Sequence, residues 1–212
     1  MAAIEARNRT YACRCSRSTL TASQLSEPGS EPVYSGTCRR DPEAALGPHA
    51  LRFAIPEEQP PVEFEDTFQG RYRQDCAKEA GDFVIRRRNG QIAYHLATVV
   101  DDAEQGVTEV VRGADLMPST PRQILLQELL AYPTPRYLHI PVATHADGQK
   151  LSKQNLAAPV DLSRPLEALA NALKFLGQAV TEGYRPAAVV EAAAKCWNPS
   201  GISRQYTQAV QT

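Results

Sequence analysis

Three of the five cysteines in this 212-residue chain, Cys13, Cys15 and Cys38, lie within 26 residues of one another. A thiolate is a strong zinc ligand. Cys13-Arg14-Cys15 followed by Tyr34-Ser35-Gly36-Thr37-Cys38 can wrap one Zn²⁺, which takes four ligands in a tetrahedron. Tyr34 and His49 are the candidates for the fourth place. Chemistry alone favours His49, because a phenol must lose a proton of pKa about 10 before it can ligate. The odd cysteine count, with no apolar secretory segment in Met1-Ala-Ala-Ile-Glu-Ala-Arg, argues against a disulfide framework and for the cytoplasm. Cys76 and Cys196 stand apart and are expected to be dispensable for metal.

Lys150-Leu151-Ser152-Lys153-Gln154 is the second constellation. Two lysines three residues apart on a loop after a strand can contact the phosphates of ATP. A compact ammonium there offsets charge that builds on a pyrophosphate leaving group. The third pairs Tyr94 with Arg112 of Val111-Arg112-Gly113-Ala114-Asp115. A guanidinium beside a phenol makes a fork for a substrate carboxylate, although Arg112 can also pair with Asp115 or another local acid.

These groups need elements to hold them. Residues 1–60 are rich in Ser, Arg, Pro and Cys, with a short helix expected in 18–25 and loop in 26–32. So little core material there makes metal the expected source of order. Residues 81–87 and 91–100 flank Asn89-Gly90 and read as a hairpin, which places Tyr94 on a central strand. Val107–Val111 and Tyr137–Val142 read as further strands. Thr120-Pro121 opens a helix expected to run from 121 to 130 and to stop before Pro133. Beyond Pro165 the apolar period is helical: Leu166, Leu169, Leu173, Leu176 and Val180 form one face, and Val189, Val190, Ala193 and Trp197 another. The organisation expected is a zinc subdomain over 1–60, the second half of a nucleotide-binding domain over 61–160, and a helical module over 161–212.

Hydrophobic residues at 42% and charged residues at 22% fit an ordinary globular protein, and no run of 18 apolar residues is present to span a membrane. With 23 basic and 24 acidic residues the net charge is −1, so composition carries no electrostatic footprint for nucleic acid. Arg86-Arg87-Arg88 reads as a solvated shoulder of the Asn89-Gly90 turn.

In combination the motifs follow the order of a known family. Residues 94–102 (YHLATVVDD), 111–116 (VRGADL), 119–123 (STPRQ), 133–139 (PTPRYLH) and 150–154 (KLSKQ) resemble the second half of a glutamyl-tRNA synthetase catalytic domain. Residues 11–17 and 34–39 resemble the zinc subdomain of its shortened paralogues, the glutamyl-queuosine tRNA(Asp) synthetase family. The resemblance implies an α/β fold: the carboxy-terminal part of a class I synthetase nucleotide-binding fold, with a zinc-binding insertion and a short helical tail. It implies an enzyme, a ligase that forms a glutamyl adenylate from glutamate and ATP, with Mg²⁺, before tRNA is needed. The glutamyl group then passes to the cyclopentenediol of queuosine in the anticodon loop of tRNA(Asp). Cys13, Cys15, Tyr34 and Cys38 match the ligands of one Zn²⁺ per chain, which displaces His49; a bound cation lowers a phenol's pKa and allows the ligation. Tyr94 and Arg112 match glutamate-binding positions. Lys153 matches an ATP-binding position, and Lys150 and Lys153 are the catalytic lysines.

The family's nucleotide fold also opens with a HIGH-like motif and the first glutamate contacts. These 212 residues contain no such motif, and their only histidines are His49, His95, His139 and His145. A nucleotide fold of this type divides its site between two halves, so an amino-terminally truncated, inactive chain is expected, acting with its partners as a monomer. The competing readings are a fragment of ordinary glutamyl-tRNA synthetase and a non-catalytic, zinc-stabilised interaction module.

Overall fold

The computed structural model describes residues 1–16, 33–152, 157–180 and 183–210. The helix expected in 18–25, the loop in 26–32 and Lys153 lie outside the described residues. The chain divides into two compact units. The first comprises Met1–Phe64, Arg71–Glu109 and Pro118–Arg136; the second comprises Glu65–Gly70, Val110–Met117 and Tyr137–Thr212.

In the first unit α1 (Ala2–Glu5) leads into β1 (Thr10–Cys13), which pairs antiparallel with β2 (Ala50–Phe53). The strand Phe83–Arg86 pairs antiparallel with the other edge of β2. This three-stranded sheet buries Leu51, Phe53, Phe83 and Ile85, and Ile4 and Ile55 are sealed beside it. The amino-terminal segment therefore has more apolar core than its composition suggests.

A four-stranded sheet is assembled from β3 (Val62–Asp66), β4 (Gly70–Gln74), β6 (Glu109–Gly113) and β7 (Arg136–Ile140), with Phe83–Arg86 counted as β5; its order is β4-β3-β7-β6. β3 and β7 run parallel, with Asp66 opposite Tyr137.

The turn at Asn89-Gly90 forms as expected: Gly90, at φ +85°, donates to the Arg87 carbonyl at 2.9 Å, and Arg87 donates to Gln91 at 2.7 Å. The strand expected after it does not form. Beyond one bridge between Arg86 and Ile92, residues Tyr94–Glu104 are a helix, α2. Tyr94 thus opens a helix instead of lying on a central strand. The β-branched run Thr98-Val99-Val100 favours a strand locally, but tertiary packing decides. Leu96 and Val99 are buried three residues apart, a helical spacing, and Gly106 at φ +67° follows the helix end.

α3 runs Thr120–Leu130, with Ser119 before it and Pro121 in its first turn. Thr120 is therefore its first residue and fully buried, not its cap. Ala131 in the left-handed region ends it ahead of Pro133.

The second unit continues with β8 (Val142–Thr144), which pairs parallel with β9 (Thr207–Ala209). α4 (Pro165–Phe175) and α5 (Pro186–Lys195) pack through Leu169, Leu173, Val189 and Ala193. The apolar face expected to reach Val180 is shorter, because α4 stops at Phe175 and Gly177 at φ +64° turns the chain. Val190 and Trp197, expected on the second face, stay largely exposed.

Candidate metal centre and substrate site

The sulfur atoms of Cys13, Cys15 and Cys38 lie within 4.8 Å of one another. Cys13 is the last residue of β1, and two residues further the chain brings Cys15 alongside. Gly36, at φ +77°, reverses the backbone into a 3-10 turn, Thr37–Arg40, that delivers Cys38. The Tyr34 hydroxyl completes the group, 3.5 Å from the Cys13 sulfur and 3.6 Å from that of Cys15, while the Cys15 and Cys38 sulfurs are 3.5 Å apart. A tetrahedron with sulfur at about 2.3 Å and oxygen at about 2.0–2.2 Å has edges of roughly 3.5–3.8 Å. The donor set therefore has the size and chemistry of a Cys₃Tyr metal site. His49 is outside it: it is half-buried, with Nδ1 2.8 Å from the Gly47 carbonyl.

Electrostatics point the same way. Burial holds the Tyr34 phenol well above its ordinary pKa, and the neighbouring Cys13 and Cys38 thiols add to the effect. Burial likewise pushes the Cys15 thiol up. Burial also opposes ionisation of Cys38, but donation from the Tyr34 hydroxyl and the Arg14 backbone outweighs it and lowers that thiol to about 7. Four acidic groups crowded in one pocket discourage each other's ionisation, and a bound cation reverses that penalty. The Cys38 amide donates to the Tyr34 oxygen at 2.9 Å, and the Arg52 guanidinium sits 3.7 Å from the centre of the Tyr34 ring. Both favour a phenolate.

Asp82 supports this arrangement. Its carboxylate accepts from the Tyr11 hydroxyl and from the Ile55 amide, each at 2.7 Å, and pairs with Arg39 at 3.6 Å. Its carbonyl accepts from Arg52 at 2.7 Å. Cys76 lies apart from the cluster, buried, with its thiol pushed up to about 11 by that burial. Cys196 is exposed and free.

Of the remaining candidates, Tyr94 belongs to the first unit and is 44% exposed at the start of α2. Arg112 and Lys150 belong to the second unit. Arg112 lies on β6, and its Nε donates to His139 Nε2 at 3.0 Å. Its guanidinium carbon is 5.4 Å from the centre of the Tyr137 ring, within cation–π range. Asp115, the acid expected as a partner for Arg112, takes an ion pair from the Lys150 ammonium. Lys150 follows the turn in which Gly148 donates to the His145 carbonyl at 3.0 Å.

Behind Arg112 lies a pair that sequence reasoning did not single out. Asp66 and His139 are buried, and Asp66 Oδ2 is 2.6 Å from His139 Nδ1. The Phe68 and Gln69 amides donate to Asp66 Oδ1 at 3.0 and 2.9 Å, and the His139 amide adds a further bond at 3.1 Å to Oδ2. Burial raises the cost of this carboxylate's charge. The His139 ring and those amides outweigh it and hold Asp66 below the usual carboxylate range. The available signal was a histidine at an inward position of an alternating strand, since Tyr137 and His139 are the buried residues of β7.

Comparison with known proteins agrees with this fold. Residues 4–204 match the catalytic domain of class I tRNA synthetases (E and Q), and the chain belongs to that family. Among curated relatives, the glutamyl-Q tRNA(Asp) synthetase of Verminephrobacter eiseniae is 51% identical over 195 residues, 89% of this chain and 66% of the relative. That of Methylococcus capsulatus is 48% identical over 199 residues, 92% of this chain and 63% of the relative. The chain thus spans slightly less than two thirds of these relatives' length. The glutamate-tRNA synthetase of Elizabethkingia anophelis superposes on the whole chain with a TM-score of 0.68, at 18% identity and over 50% of its own length, a likeness of fold. Among the described residues no helix is long and apolar enough to cross a membrane.

Proposed function

We propose that the chain is a zinc-bearing part of an enzyme that joins glutamate to queuosine of tRNA(Asp). In this reading a glutamate carboxylate oxygen attacks the α-phosphorus of ATP and pyrophosphate leaves. A hydroxyl of the queuosine cyclopentenediol then attacks the activated carbonyl and AMP departs. Arg112 and Tyr94 hold the glutamate. Lys153 contacts ATP, and Lys150 assists it by offsetting charge on the departing pyrophosphate, with Mg²⁺ carried by the nucleotide. Cys13, Cys15, Tyr34 and Cys38 hold one structural Zn²⁺, which supplies folding free energy and takes no part in bond making.

The observation that carries the reading is the coincidence of two features in one chain. The Cys₃Tyr cluster accompanies 51% identity to a glutamyl-Q tRNA(Asp) synthetase. Lys150 is held by Asp115 in this structure, so its use in catalysis requires that pair to open when phosphate arrives.

The test uses glutamate-dependent ATP–pyrophosphate exchange. The 212 residues carry no HIGH-like motif, and alone they are expected to give no detectable exchange, since half of the positioning is lacking. Joined to the part of a curated relative that they do not span, they are expected to give exchange with glutamate in the absence of tRNA. Arg112→Ala should reduce that exchange by roughly 100-fold or more, the scale of a lost charge-assisted contact to a reacting group. Equal exchange with glutamine, or an absolute need for tRNA, would sink the reading.

A further inference from the structure

We propose that Asp66 and His139 are positioning residues for Arg112, forming a relay that fixes the direction in which its guanidinium meets a carboxylate. The second half of this proposal rests on the glutamate-binding role given to Arg112 above; the first half stands by itself.

The tautomer of His139 follows from its neighbours. An arginine Nε can only donate, so Nε2 of His139, at 3.0 Å, must be the bare, accepting nitrogen. The ring proton then sits on Nδ1 and is donated to Asp66 Oδ2 at 2.6 Å. Asp66 is itself held by the amides of Phe68 and Gln69, and both it and His139 have fully buried side chains. The Gln69 side chain donates to the His139 carbonyl at 2.9 Å, which fixes the backbone of β7 at this point. The Tyr137 ring stacks on the imidazole with centroids 6.0 Å apart.

A buried carboxylate therefore sets a buried imidazole, and that imidazole sets one edge of a partly exposed guanidinium. Orientation of a binding group by a hydrogen-bonded partner behind it is a general device, and its removal costs about 10–100-fold in affinity in the metal sites where it is best measured. A structural role alone would require the pair to be buried, but it would not require Nε2 to be unprotonated and aimed at Arg112.

The experiment uses the full chain labelled with ¹⁵N in histidine and arginine. Long-range proton–nitrogen spectra report which ring nitrogen of His139 carries the proton, and His139→Gln assigns the signal. The expected result is a proton on Nδ1 and none on Nε2; a proton on Nε2 overturns the proposal. In Asp66→Asn the amide oxygen takes the backbone donors and its NH₂ group faces Nδ1. The ring proton is then driven to Nε2, where it meets Arg112 donor to donor.

Titration with L-glutamate of the 212 residues joined to the unspanned part of a curated relative, followed at the Arg112 Nε–H signal, should show a dissociation constant about 10–100-fold weaker with Asp66→Asn than without it. An unchanged constant overturns the proposal. Should Asp66→Asn not fold, His139→Gln and His139→Leu serve instead. Glutamine can present an accepting oxygen where Nε2 stood and should bind glutamate more tightly than leucine, whereas equal losses contradict the relay. If Arg112→Ala leaves glutamate binding untouched, the glutamate role of Arg112 fails and takes the second half of the proposal with it. The tautomer measurement then still decides the first half.

Discussion

At the scale of single residues, Tyr34 shows what a pocket can do for a weak candidate ligand. Its hydroxyl lies between two sulfurs, accepts the Cys38 amide, and carries the Arg52 guanidinium over its ring. Ranked by solution pKa alone, His49 is the better fourth ligand, and the structure leaves it outside the cluster. Tyr34 could be proposed as the fourth ligand only by resemblance, because solution pKa omits what a pocket does to a phenol. Metal analysis of the purified chain should give one zinc. Cys38→Ser should lose it, and Cys76→Ser and Cys196→Ser should keep it; full occupancy in Cys38→Ser contradicts the site. Stripping the metal with a chelator should lower stability by about 4 kcal/mol where zinc had stood 1,000-fold above its dissociation constant.

At the scale of elements, two devices position the sites, and each can be disturbed by one substitution. Gly81 turns the chain into β5 at φ +66°, and a Cβ there would stand 2.9 Å from the Tyr34 amide nitrogen and 3.0 Å from Val33. Gly81→Ala should cost at least about 1–2 kcal/mol through strain at positive φ, and it should weaken zinc binding by displacing Tyr34. Calorimetry and zinc competition together check this; normal zinc affinity in Gly81→Ala would separate the turn from the metal centre.

The second device is the Asp66 loop. Its carboxyl titrates lower in the folded chain than in the unfolded one, so the stability it contributes is complete above about pH 4. That contribution should drain away as pH falls through the depressed native value. Urea unfolding between pH 6 and pH 2 should show this acid loss in the parent and a shallower one in Asp66→Asn.

Elements were legible from sequence where turn chemistry spoke, as at Asn89-Gly90, Pro121 and Pro165. They were not where β-branched residues met helical packing: Thr98-Val99-Val100 favours a strand locally, and burial of Leu96 and Val99 on one helical face overrides it. Asp66 was invisible for a related reason. Its partner His139 is 73 residues away, and only the parallel pairing of β3 and β7 brings them together.

At the scale of the whole molecule, the family was legible because separate weak motifs occur in one order along the chain, and residues 4–204 indeed match the class I catalytic domain. The chain spans 66% of one curated relative and 63% of another, and function is proposed for the complete enzyme. The net charge of −1 on these 212 residues gives no general attraction to nucleic acid. Under the proposed function, discrimination among tRNAs must come from specific contacts, which directs the decisive measurement to the acceptor. Radiolabelled glutamate and ATP should be supplied to the 212 residues joined to the unspanned part of a curated relative. The acceptors offered are tRNA(Asp) with queuosine, tRNA(Asp) without it, and tRNA(Glu). The expected result is label on queuosine-containing tRNA(Asp) alone; label on tRNA(Glu), or on tRNA(Asp) lacking queuosine, would contradict the proposed function.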